Sequence, residues 1–156
     1  MTASRRRRHG VLRRAALWIA LAYLVALSLI AFWPTPVDRG AHESISSVVF
    51  WLHEHGVPAW LGYNTIEFGA NIALFIPVGL LIVVLAGSHR WWFGPLIGTL
   101  VSCAIELGQL VFLPERFATV NDVVANGLGA SLGTLLALGL LRLTLGTAPV
   151  MHQRSK

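Results

Sequence analysis

Four long apolar runs divide this chain into alternating loops, and its charged residues are sorted between those loops by sign. Of the twelve Lys and Arg residues, ten fall on one side: Arg5, Arg6, Arg7, Arg8, Arg13, Arg14, Arg90, Arg142, Arg154 and Lys156. Only Arg39 and Arg116 fall on the other. All seven Asp and Glu residues lie on that second side or in the parts of the apolar runs nearest it. A soluble protein has no reason to sort charge in this way, whereas a polytopic membrane protein carries its Lys and Arg in the cytoplasmic loops. The composition points the same way. Charged residues make up 12% of the chain, against about a quarter in soluble domains, too few to cover a globule of this size.

The length of 156 residues argues for one domain. A pI of 10.7 invites a nucleic-acid-binding reading, but such a protein spreads its positive charge along a solvated face. Here the basic residues cap apolar runs, so nucleic acid is not an expected partner. The single cysteine, Cys103, lies inside an apolar run and excludes a disulfide framework within the chain. No Cys/His spacing suggests a metal site, and no cofactor is implied.

The expected spans are about 15–33, 66–86, 93–113 and 123–145, each long enough for a hydrocarbon core of ~30 Å. A cleaved signal peptide is the rival for the first run, but a signal core is normally only about 7–15 residues. Residues 1–14 form a basic cytoplasmic arm, expected to be disordered and to lie against anionic lipid heads. Residues 146–156 form a cytoplasmic tail. In the outer loop, 34–65, Ile45, Val48, Val49 and Leu52 recur at helical spacing beside Phe50 and Trp51. This predicts a short amphipathic helix in the interface, ended by Gly56 and Pro58. His53 and His55 diverge on such a helix and read as surface residues. The expected fold is an all-α four-helix membrane bundle, multi-pass in the plasma membrane, with both termini cytoplasmic.

Several polar residues interrupt the apolar runs. Glu67 and Asn71 share a face of the second span, Glu106 and Gln109 a face of the third, and Asp122 and Asn126 a face of the fourth. At ~1.5 Å per residue all six fall within about 10 Å of the outer boundary. Arg116 is the outer cation nearest to this layer in the sequence. The amides Asn71, Gln109 and Asn126 are either interhelical glue or ligand contacts. Glu106, Arg116 and Asp122 point more strongly to function, because glue does not require ionisable groups. Pro77 removes one helix hydrogen bond and frees the carbonyl of Ala73, so a kink is expected. Ala125, Gly129, Gly133 and Ala137 recur every four positions, as do Gly94 and Gly98, and such stripes let helix backbones approach closely. Whether that contact lies within one chain or between chains of a homo-oligomer is left open by the pattern.

The motif residues resemble a known family. Asn71-Ile72-Ala73-Leu74-Phe75-Ile76-Pro77-Val78-Gly79 resembles the N-x-x-L-F-x-P-x-G signature of the VanZ-like proteins. Ile105-Glu106-Leu107-Gly108-Gln109 resembles their I-E-x-x-Q segment. Arg116, Asp122-Val123-Val124-Ala125-Asn126 and Gly129-Ala130 resemble their R…D-V-x-x-N-x-x-G-A segment. The resemblance covers about residues 64–135. It implies a small membrane protein of the bacterial envelope, whose namesake is associated with low-level teicoplanin resistance. The expected role is binding of membrane lipids, a lipid-linked cell-wall precursor or an amphiphilic glycopeptide at the outer leaflet, lowering antibiotic susceptibility. The alternatives are a membrane enzyme acting on a lipid headgroup, with Glu106 as general acid/base, and a small oligomeric proton-coupled transporter.

Overall fold

The computed structural model describes residues 3–32, 42–113 and 119–146. Five α-helices follow in order: α1 Ala3–Ala31, α2 His42–Glu54, α3 Tyr63–Ala86, α4 Phe93–Phe112 and α5 Val120–Gly146. A 3-10 turn at Ser88–Arg90 joins α3 to α4, and no strand occurs among the described residues. Four helices are long and apolar enough to cross a membrane, over Arg13–Ala31, Tyr63–Ala86, Phe93–Phe112 and Val120–Leu143. The chain is therefore an all-α, multi-pass membrane protein. The third helix begins three residues earlier than its apolar run, at Tyr63, and the fifth at Val120, where Thr119 caps it.

The basic arm departs from expectation. The backbone is already helical at Ala3 and continues unbroken into the span. Arginine and alanine are good helix formers, and extension from an existing helix avoids the costly nucleation step.

The tightest helix pair is α3 with α5, which are not consecutive and run parallel. A Cβ on Gly129 would meet the carbonyl of Ile72, and one on Gly133 the carbonyl of Ile76. Reciprocally, a Cβ on Gly79 would meet the carbonyl of Ala130. Two helices can approach so closely only where side chains are absent. Ala125 and Ala137 complete the stripe and are buried. Helix α4 runs antiparallel to α5 and packs on the adjacent side. Gly94 sits against Thr134, and Gly98 against Ala130. The small-residue stripes thus join helices of one chain.

Helix α1 packs on the outside of this trio. Leu27 is buried with Phe75 and Val78, while Trp18, Ile19, Leu21, Val25 and Leu29 are exposed, as a lipid-facing surface requires. Two polar contacts pin it. The Tyr23 hydroxyl donates to the Leu74 carbonyl at 2.6 Å, and Gln109 Nε2 donates to the Ala31 carbonyl at 2.8 Å. Helix α3 stays continuous through Pro77. Tyr23 bonds the carbonyl next to the one that Pro77 leaves without its N–H partner, so the helix is supported from outside where its own ladder is weakest.

The amphipathic helix is present as α2. Ile45, Val49 and Leu52 are half-buried, but Val48 is exposed, along with Phe50 and Trp51. The 3.6-residue period turns Val48 toward that aromatic side. The helix ends at Gly56, whose φ of 91° lies in the left-handed region. Val57 N–H bonds the Leu52 carbonyl at 3.0 Å and Gly56 N–H bonds the His53 carbonyl at 3.2 Å, a Schellman termination. His53 bonds the Leu61 carbonyl at 3.1 Å. His55 stacks on Trp51 with ring centroids 4.0 Å apart.

Candidate functional site

The C-terminal ends of α1 and α4 meet the N-terminal ends of α3 and α5 at one end of the bundle, and the polar residues of the spans gather there. They fall into three levels. The central level starts from the cap of α5. Thr119 Oγ1 accepts from the Asp122 N–H at 3.1 Å, and its hydroxyl donates to Asp122 Oδ2 at 2.8 Å. In a capping box the residue at the third helical position would return a bond to the cap residue's own N–H. Here that N–H donates instead to Glu106 Oε2 of α4, at 3.0 Å. Asp122 is thereby released to serve α3, and its Oδ1 accepts from Asn71 Nδ2 at 2.6 Å. One continuous hydrogen-bonded path runs from Asn71 through Asp122 and Thr119 to Glu106, linking three helices. The two carboxylates sit at the positive end of the α5 dipole, which favours negative charge.

One turn further into the bundle lies a second level. Asn126 follows Asp122 by four residues on α5, and Ser102 precedes Glu106 by four on α4. Asn126 Nδ2 donates to Ser102 Oγ at 2.8 Å in a buried setting. Asn126 is 5% exposed, and its Oδ1 has no hydrogen-bond partner. A buried acceptor left in this state costs about 1–3 kcal/mol.

Gln109 occupies the third level, toward α1, where it holds the Ala31 carbonyl rather than joining the acids. Nearby, a Cβ on Gly108 would stand 2.6 Å from Phe32 Cζ, so this glycine admits the ring that follows α1. Glu67, one turn beyond Asn71, is exposed at the rim. The path thus contains Asn71, Glu106 and Asp122, while Asn126 lies a turn beneath, and Gln109 and Glu67 lie aside. Arg116 falls outside the described residues.

Two contributors escaped the sequence reading of this layer. Ser102 was overlooked because serine is common in membrane helices, yet its spacing of four from Glu106 places it on the same face. Tyr23 carried no local signal. Its role depends on the proline of another helix. No group of three His, Cys, Asp or Glu among the described residues is arranged to hold a metal ion.

Comparison with curated proteins and with solved structures gave no match. A family model described as VanZ/LLP1 matches residues 18–142 of the 156-residue chain. The match spans α1 to α5 and includes every residue of the three polar levels. The chain belongs to the VanZ/LLP1 family.

Proposed function

We propose that this protein is a non-catalytic component of the bacterial cell envelope. Its polar end faces the outer leaflet of the plasma membrane. There it binds the headgroup of a lipid-linked cell-wall precursor or of an amphiphilic glycopeptide, lowering the cell's susceptibility to the drug. One observation carries this reading. Asn71, Asp122, Thr119 and Glu106 form a single hydrogen-bonded path across three helices at one end of the bundle. Amide glue between membrane helices contributes only about 0.6 kcal/mol on average, and two carboxylates are a costly way to obtain it.

The charge distribution supports the orientation, since the opposite end carries Arg13, Arg14, Arg90 and Arg142. The exposed Phe50, Trp51 and Trp60 lie in the segment joining α1 to α3, where amphipathic rings suit the headgroup level.

The test is tolerance in a susceptible host. Overexpression raises tolerance to a lipid-tailed glycopeptide more than to an untailed one, and leaves the precursor pool chemically unchanged. Asn71→Ala, Glu106→Ala or Asp122→Ala removes the effect at matched expression, while Glu54→Ala does not. Equal protection against both drugs, or protection that survives all three substitutions, defeats the reading. A chemically altered precursor pool would favour an enzyme using Glu106.

A further inference from the structure

We infer that the polar end selects a hydrogen-bond donor, and that the ligand group it takes is a primary ammonium on an amphiphile rather than a phosphate. This rests on the headgroup-binding reading above and assigns its chemistry. The starting point is Asn126. Its side chain is more than nine-tenths buried, its amide nitrogen bonds Ser102, and its oxygen bonds nothing. It lies one turn beneath Asp122 on the same face of α5. A residue retained only to join α4 and α5 would be satisfied by the helix it joins. An oxygen held ready beneath a hydrogen-bonded path calls for a donor from elsewhere.

The balance of donors and acceptors around it gives the same sign. Asn71 Nδ2, the Thr119 N–H and hydroxyl, the Asp122 N–H and Gln109 Nε2 each bond a protein acceptor. The carboxylates of Glu106 and Asp122 each offer about four lone-pair sites, and Asn126 Oδ1 adds an acceptor with no bond at all. A phosphate brings only acceptors and places negative charge beside two carboxylates. A primary ammonium brings three donors and a positive charge. A trimethylated ammonium carries the same charge without an N–H, so it separates hydrogen-bond donation from simple attraction.

The full-length protein is reconstituted in nanodiscs of phosphatidylcholine alone, with added phosphatidylethanolamine, or with added phosphatidylglycerol, and its thermal unfolding is followed. Phosphatidylethanolamine should raise Tm by about 3 °C over phosphatidylcholine, and phosphatidylglycerol should not. Asn126→Leu should cancel that increment, and Asn126→Ala, which only removes atoms, serves if the larger residue prevents folding. Glu54→Ala should keep it. Soluble glycerophosphoethanolamine added to phosphatidylcholine discs distinguishes the sources. A rise assigns recognition to the free headgroup, and no rise assigns it to the membrane-anchored amine, the Asn126 dependence being required in both cases. Equal Tm in phosphatidylethanolamine and phosphatidylcholine, or an increment that persists without Asn126, overturns the inference. A gain specific to phosphatidylglycerol and lost in Asn71→Ala overturns the choice of donor but leaves a headgroup site standing. Absence of any lipid dependence in any disc overturns both readings.

Discussion

The backbone N–H of Thr119 donates to Glu106 Oε2 at 3.0 Å, so an acid of α4 completes the cap of α5. An ordinary capping box is closed within one helix. Here the box is opened, and the carboxylate that would close it, Asp122, accepts from Asn71 of α3. Helix initiation and helix assembly are thereby the same event at this end of the bundle.

Thr119→Ala should therefore cost more than a surface cap. It removes the acceptor for the Asp122 N–H and the donor to Asp122 Oδ2. A loss of about 1–2 kcal/mol is expected, with Thr119→Ser close to wild type. Thermal unfolding in detergent checks this, and equal stability of the alanine and serine variants would show that the cap is dispensable.

The Asn71–Asp122 bond should appear as coupling in a double-mutant cycle. Asn71→Leu and Asp122→Leu should each destabilise, and the double variant should lose less than their sum by about 1 kcal/mol. Additive losses would mean the 2.6 Å contact carries no net energy.

The glycines divide sharply. Gly79→Ala, Gly129→Ala and Gly133→Ala each drive a Cβ into a backbone carbonyl of the facing helix, costing at least about 1–3 kcal/mol. Gly139→Ala meets open space and should match wild type or gain up to about 1 kcal/mol from helix propensity. Denaturant titration of the four variants reads the contrast. A tolerated Gly133→Ala would show that α3 and α5 do not pack backbone to backbone.

Orientation can be read by thiol labelling in whole cells with Cys103 replaced by Ala. Ser46 and Ser88 are both exposed and lie on opposite sides of α3. A cysteine at 46 should react with an impermeant reagent, and one at 88 should react only after lysis. The reverse pattern would turn the polar end toward the cytoplasm.

Tyr23→Phe isolates the bond that ties α1 to α3. The hydroxyl reaches Leu74 O across 51 residues of sequence, and its loss should cost about 0.5–1.5 kcal/mol. Pro77→Ala restores the Ala73 hydrogen bond. In that background the Tyr23 change should cost less, which a thermal-unfolding cycle measures.

Much of this architecture is legible in the amino-acid order, because it depends on local pattern. The apolar runs set four spans, their alternation sets antiparallel neighbours, and the spacing of Asn71, Glu106 and Asp122 puts one polar face on each of three helices at a common depth. Gly56 marks the end of α2, since only a glycine there takes a positive φ without strain. The tertiary structure alone decided the pairings. A stripe such as Ala125, Gly129, Gly133 and Ala137 allows close approach by any helix, and only the assembled bundle selects the parallel partner α3 over the sequence neighbour α4. The same holds for hydrogen bonds. Periodicity shows which way Glu106 and Asn126 point, but their partners, the Thr119 N–H and Ser102, are determined by how far the backbones slide against each other before contact stops them.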